Sequence, residues 1–275
     1  MSISSVESFI RRVKSTPSDN RTITVYRGHS DRLNYTLSPS VLRKPSYRRD
    51  ERNIIREIIA LHPSEFSDDF TTLERLVRMQ HFSLPTRLLD VTHNPLVALY
   101  FACRSQPSRQ AEVISFRVAK RRVKYFDSDT ASCIANLANL STREKSTLRK
   151  ISDFEALNNA TEALRLLHFI KAEKSYFLPH FQPTDLRSVI FVKAKQSNRR
   201  ILAQQGAFLL FGLTDELEDL NEFDIQIERI PIPASRKESL LSDLDKISIN
   251  ESTLFPEIEI AARYLMKKLE PDANE

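Results

Sequence analysis

Glycine is almost missing from this sequence. Gly28, Gly206 and Gly212 are the only three in 275 residues, so each is expected where a side chain does not fit. That scarcity excludes a glycine-rich phosphate loop, and with it both the P-loop and the dinucleotide fingerprint. Tryptophan is absent. The two cysteines, Cys103 and Cys133, have no metal-type spacing and fit a reducing compartment. No His/Cys/Asp/Glu spacing suggests a metal, and no nucleophile elbow marks a serine hydrolase. No run approaches about eighteen apolar residues, so no membrane span and no membrane partner are expected. Residues 1–7 lack a basic segment followed by an apolar one. A secretory signal is therefore not expected, and a cytoplasmic protein is.

What is present is an ordinary globular composition, 41% hydrophobic and 28% charged, with a formal net charge of +5 and a pI near 9.2. The mild basicity admits a nucleotide or nucleic-acid partner without demanding one. The chain is long enough for one large domain or two small ones. Without a repeat or a linker, the simplest architecture is a single α+β domain over residues 1–275, with a helical insertion at roughly 128–187.

Pattern supplies the elements. Residues 4–15 read as an amphipathic helix with Ser4 and Glu7 as a capping box, ended by Pro17. Residues 21–27 alternate as a strand ended by Gly28, and 30–46 read as irregular. Helices are expected over 48–61 and 67–82, the latter with Phe70, Leu73 and Val77 on one side and a Glu74–Arg78 pair. Asn94 caps, and Pro95 begins, an all-apolar helix. Residues 111–118, 188–194, 207–211 and 224–231 read as strands. Helical stretches fall near 129–139, 142–150 and 153–171. The acidic run 215–219 reads as solvated. Two helices close the chain, one capped by Ser235 and Glu238, the other over about 254–269 with Ile258, Ala261, Ala262, Leu265 and Leu269 on one face.

The densest chemistry lies in residues 80–94. Gln80, His81, Thr86, Arg87, Asp90, Thr92, His93 and Asn94 precede the apolar helix, and the segment reads as a polar loop held by a core helix. Arg87 and Asp90 either pair with each other or face a ligand. Arg27 ends a strand beside Gly28, an arrangement suited to a phosphate or carboxylate, with a glycine that lets the ligand approach. Gln204-Gln205-Gly206 precedes a buried strand and reads either as a sugar-binding pair of amides or as a tight turn. The basic run Arg117, Lys120, Arg121, Arg122, Lys124 is either a solvated face or a nucleic-acid contact.

These residues resemble the FRG domain family, named for a Phe/Tyr-Arg-Gly motif. The motif here is Tyr26-Arg27-Gly28. Glu51, Gln80-His81, residues 84–92 and residues 94–102 continue the resemblance, and Gln205-Gly206-Ala207-Phe208 and Leu254-Phe255-Pro256 extend it along the chain. A second resemblance is to arginine-type ADP-ribosyltransferases, whose first strand carries an Arg that holds NAD phosphates. Thr92, Ala98 and Phe101 are similar in spacing to their second motif. Gln205 stands where their third motif has Glu.

The resemblance implies an ADP-ribosyltransferase-like mixed β core with flanking helices, and NAD as substrate. It places Tyr26, Arg27, Gly28, Thr86, Arg87 and Thr92 around the nucleotide, with Asp90, Gln205, Glu51 and His81 as catalytic candidates. A neutral Gln can hold a ribose hydroxyl but cannot offset an oxocarbenium charge. Asp90 or Glu51 therefore supplies the carboxylate, or the chain binds a nucleotide without transferring it. The first reading is a toxin or phage-defence effector modifying a protein or nucleic-acid acceptor. The second is a non-enzymatic nucleotide- or nucleic-acid-binding module. A hydrolase or nuclease using His81 has no partner pattern behind it.

Overall fold

The computed structural model describes residues 3–16, 19–195, 199–218 and 222–269. Among them, seven strands form one mixed sheet: β1 (Thr22–His29), β2 (Leu88–Thr92), β3 (Ala111–Ala119), β4 (Val123–Tyr125), β5 (Val189–Lys193), β6 (Gly206–Phe211) and β7 (Ile225–Ile232). Their order is β4-β5-β6-β2-β1-β3-β7, antiparallel throughout except for β4 with β5. Helices flank the sheet, so the class is α+β.

The joint between β1 and β2 is one register pair, Tyr26 with Thr92, whereas β1 pairs with β3 over eight residues and β2 with β6 over five. The sheet thus divides into a β4-β5-β6-β2 half and a β1-β3-β7 half. Val25, Leu89, Val91, Ile114, Phe116, Phe191, Leu209 and Phe211 form one core from both halves, built almost wholly of strand residues. One face of the sheet is therefore packed against itself. Helices cover the opposite face. Pro95–Cys103, with Val6–Lys14 and Lys237–Lys246, packs on the β1-β3-β7 half. Pro45–Leu61, Thr72–His81 and Asp129–Asn136 pack on the other half. Between β4 and β5 the helices from Asp129–Asn136 to Pro183–Leu186 gather their own core of Leu137, Leu148, Leu157, Leu166, Ile170 and Phe181.

Several local expectations change. The polar loop of 83–93 contains the central strand β2. A strand buried on both faces has no need to alternate, and Leu88-Leu89-Asp90-Val91-Thr92 is too short to show a period. β1 continues through Gly28 to His29. The 30–46 stretch includes the short helix Ser40–Arg43, and Pro45 begins the next helix. The expected 67–82 helix starts at Thr72. Phe70 is exposed, Glu74 forms a capping box with Thr71 and pairs with Lys195, and Arg78 pairs with Asp69.

The first helix is capped by Ser5 with Ser8, one residue on from the expected box. Lys237–Lys246 has Arg236 at its N-cap and no side-chain cap. Glu216 and Glu218 are exposed as expected, while the half-buried Asp215 is held by Arg48 and Arg149. Pro256 splits the last expected helix into Glu251–Leu254 and Ile258–Leu269, leaving Ile258 exposed. Pro17, Asp219 and the side chains of Ala261, Leu265 and Leu269 lie outside what is described.

Candidate functional site

A cleft of about 410 Å³ opens over the β1/β2 joint, between the helices Thr72–His81 and Pro95–Cys103. That is within the range of small-ligand sites. β1 contributes Tyr26, Arg27 and Gly28 to its lining, β2 contributes Asp90 and Thr92, and β6 contributes Gly206, Ala207 and Phe208. Phe208 is the register partner of Asp90. Asp90 is the one exposed residue in a strand whose other four members are buried, so a central strand delivers a carboxylate to the cleft.

Gly28 is there for packing. A Cβ at this position would stand 2.0 Å from the Ala98 carbonyl oxygen and 2.5 Å from the Ala102 nitrogen. Its absence lets the apolar helix lie against β1. This corrects the expectation that Gly28 admits a ligand to the backbone.

Arg27 spans the joint. Its Nη1 donates to the Asp90 carbonyl at 2.7 Å and lies 4.0 Å from Asp90 Oδ2. Its Nε donates to His29 Nε2 at 3.1 Å. Burial lowers the guanidinium to about 10, which leaves it cationic at neutral pH. Nη2 has no protein partner among the described residues, so one donor edge is left for a ligand.

His29 must accept at Nε2, which fixes the neutral tautomer with its proton on Nδ1. That nitrogen faces Glu112 Oε1 at 3.4 Å, and burial pushes the imidazole pKa down. Glu112 is buried and held by Arg229 at 2.6 Å and Arg32 at 3.6 Å.

Gln80 fixes Asp90 from the other side. Its Nε2 donates to Asp90 Oδ2 at 2.6 Å, and its Oε1 accepts from Thr86 Oγ1 at 2.5 Å. Thr86 is fully buried and also accepts from the Leu88 amide. It therefore supports Gln80 and does not face the cleft, contrary to its expected place beside the nucleotide.

Four other expected site residues are corrected. Arg87 and Glu51 are buried against each other, with Nε–Oε1 at 2.8 Å and Nη2–Oε2 at 2.6 Å, and Lys145 reaches the same carboxylate at 2.6 Å. Both lie off the cleft, and their charges are spent on joining three segments. Gln205 has a φ of 46° and an exposed side chain outside the lining, so it makes the turn before β6. Its neighbour Gln204 lines the cleft instead, and donates from Nε2 to the Leu254 carbonyl at 3.0 Å. Thr92 lines the cleft, but its hydroxyl donates to the Gln204 carbonyl and accepts from the Asn94 amide. Its single proton is committed, so it tethers β6 and the helix cap and does not donate to a sugar.

His81 lines the cleft, with Nε2 3.3 Å from Glu257 Oε1. Burial first, and then the Arg200 charge, push its pKa down. Arg104, Arg200, Tyr35 and Phe101 complete the walls. With Arg27, these put three arginines in the same lining as Asp90. The environment is cationic and half apolar, and suits an anionic ligand with a flat ring.

Sequence reasoning passed over His29, Arg104 and Arg200, and weighed Gln204 only as one of a pair of amides with Gln205. Arg104 had a signal, since it directly follows the apolar helix and lies at its C-cap. His29 directly follows the Tyr-Arg-Gly motif. Arg200 is distant in sequence and carried none.

With this geometry in place, a family match can be read against it. Residues 22–111 match the family model of the FRG domain. That similarity covers about a third of the chain. The matched span includes Tyr26-Arg27-Gly28, Glu51 and the whole 80–102 stretch, so it holds the β1/β2 joint and both helices beside the cleft. Gly206, Ala207 and Phe208, which line the cleft, lie beyond it, as do Gln205 and Leu254 to Pro256. No curated protein and no solved structure matches the chain.

Proposed function

We propose that the cleft binds NAD and that the protein is an NAD-dependent ADP-ribosyltransferase-like enzyme. The observation that carries this reading is Asp90, a carboxylate fixed by Gln80 and set beside Arg27 in an otherwise cationic cleft. A purely phosphate-binding site has no use for an anion there. A glycosyl-transfer site does, because positive charge develops at the sugar carbon.

In this reading Arg27 takes a pyrophosphate oxygen on Nη2. Phe208 or Tyr35 offers a face to a ring. Asp90 stands by the nicotinamide ribose. The C1′–N bond breaks with its electron pair going to nicotinamide, which leaves neutral. The oxocarbenium-like carbon is stabilised by Asp90 and then attacked by an acceptor nucleophile, whose proton is lost to solvent or a base. The expected Glu51 and Gln205 contributions drop out, since neither reaches the cleft.

Calorimetric titration with NAD, together with a nicotinamide-release assay in host extract, tests the reading. Asp90→Asn should keep binding within a few-fold and lower release by roughly 100- to 1,000-fold. Arg27→Gln should weaken binding by roughly tenfold or more. Neither binding nor release in the unsubstituted protein would end it.

A binding-only module is the second reading, favoured by the fact that Asp90 already serves Gln80 and Arg27. It expects NAD or another nucleotide to bind without any release of nicotinamide. A nucleic-acid surface at the basic run has less support. Arg121 and Arg122 both pair with Asp224, and Arg117 donates to Gln226.

A further inference from the structure

The sequence offers His81 no partner, yet the fold supplies one. His81 is the last residue of the helix Thr72–His81 and lines the cleft. Its Nε2 stands 3.3 Å from Glu257 Oε1. Glu257 follows Leu254-Phe255-Pro256, a segment fixed by the burial of Leu254 and Phe255 and by the Gln204 amide, which donates to the Leu254 carbonyl at 3.0 Å. Arg200 fastens the other partner. It donates from Nη1 to the His81 carbonyl at 3.3 Å, and its guanidinium carbon lies 4.8 Å from the Phe255 ring centroid. Both members of the pair are thus tied to the same corner of the cleft.

Stability alone does not explain this pair. The two side chains are 21% and 29% exposed, and an ion pair so open to water contributes little. Glu257 Oε2 is buried without a hydrogen-bond partner, a cost that a purely structural carboxylate would avoid. What the pair does achieve is a fixed imidazole. With Nε2–H directed at Glu257, Nδ1 keeps its lone pair, and no hydrogen bond among the described residues occupies it. Burial and the Arg200 charge keep the ring neutral at pH 7. A proton gained at Nδ1 would give an imidazolium favoured by the Glu257 carboxylate and by the C-terminal end of its helix, and opposed by Arg200 and Arg78. Gln80, the preceding residue, holds Asp90 at 2.6 Å, so the imidazole stands one residue from the group that fixes the carboxylate.

We propose that His81, oriented by Glu257, is the general base that takes the proton of an attacking O–H group, so that the acceptor is water or an alcohol and not a carboxylate. This rests on the NAD reading and names its acceptor chemistry. As the C1′–N bond breaks with its electron pair going to nicotinamide, the acceptor oxygen bonds to C1′ and its proton passes to His81 Nδ1. The imidazolium then returns that proton to solvent. Glu257 touches no reacting atom and is a positioning residue.

The unsubstituted full chain, His81→Gln and Glu257→Gln are assayed for nicotinamide release at saturating NAD from about pH 5 to 9, in buffer alone and with host extract, with calorimetry of NAD binding alongside. In the unsubstituted protein kcat should fall in acid with a one-proton slope, its midpoint below the usual imidazole value. His81→Gln should lower kcat roughly 100-fold or more and abolish that acid limb, with NAD affinity kept within a few-fold. Glu257→Gln should lower kcat less and move the limb to lower pH, because the anion that favours the imidazolium is gone. Release in buffer alone, with free ADP-ribose as product, assigns water. Release that needs extract, with a label that resists neutral hydroxylamine, assigns an alcohol. A label cut by neutral hydroxylamine marks an ester to a carboxylate, which brings no proton, and overturns the proposal. Undiminished kcat in His81→Gln, or an acid limb that persists there, also overturns it while the NAD reading stands. NAD binding without release overturns it and leaves the binding-only module. If NAD neither binds nor reacts, both readings fall.

Discussion

Asp90 depends on its neighbours for any chemical role. More than half of its side chain is exposed, so on its own it would sample several rotamers. The Thr86–Gln80–Asp90 chain removes that freedom. Replacing Gln80 by Leu keeps the bulk and deletes both bonds. Turnover should fall roughly 10- to 100-fold, the cost of a misplaced reacting group, while KM for NAD changes much less. An equal loss in both would make Gln80 a binding residue. Glu51 is the opposite case. It is buried against Arg87 and Lys145, whose charges hold its carboxyl down to about 2 in spite of the burial that opposes them. Glu51→Gln leaves two buried cations without their anion and should cost roughly 3–5 kcal/mol in denaturant unfolding. Below the transition, the variant should still bind NAD.

At the scale of elements, the cleft exists because the helix Pro95–Cys103 touches β1 without an intervening side chain. Gly28→Ala forces a methyl against backbone atoms that cannot rotate away, at 2.0 and 2.5 Å. Overpacking costs roughly 1–3 kcal/mol or more, and here the helix must shift, carrying Phe101 and Arg104 with it. Equilibrium unfolding should show the loss, and nucleotide affinity should fall as well. Gly206→Ala is the internal control. It also borders the cleft, but its nearest neighbours would be 3.5 Å away, and stability should change by less than about 0.5 kcal/mol.

The sequence made this helix legible from end to end, because a capping Asn, an N1 proline and an unbroken apolar run all state the same thing. β2 was not legible. Its polar neighbours are satisfied by partners 36 to 112 residues away, Arg87 by Glu51 and Thr92 by the Gln204 carbonyl, and local pattern cannot show such pairings. The same blindness separates Arg27 from Glu51. Both looked like site residues, and only tertiary structure tells a charge facing a cleft from one locked in a core. Gln205 and Gln204 differ by a turn whose handedness no pattern reveals.

Across the molecule, protons tie stability to the cleft. Burial is the main cause that depresses the pKa of His29, His81 and His93. Each holds its proton less well in the folded chain than in the unfolded one, where imidazole titrates near 6.5. Above that value neither state is protonated and the shifts have no effect. As pH falls below it, the unfolded chain takes up protons that the folded chain refuses, so stability declines with acid. Glu51 adds a separate loss lower down, beginning as pH drops through the ordinary 4.5 of a free carboxyl toward its folded value of about 2. Thermal unfolding should therefore show a Tm that declines from about pH 6.5 to 5.

His29 links that decline to function. Once protonated it can no longer accept from Arg27 Nε, and it becomes a second buried cation beside Arg27, close to Arg229. NAD affinity should fall toward the acid end of that range, since the folded His29 takes its proton only below the usual imidazole value. His29→Gln offers an amide oxygen to Arg27 and cannot take a proton. It should flatten part of the decline in Tm between pH 6.5 and 5 and keep nucleotide affinity steady there, at some cost in stability at pH 8 from imperfect packing. If the variant keeps the full acid decline in both measurements, the proton enters elsewhere, and His81 beside Glu257 becomes the group to substitute next.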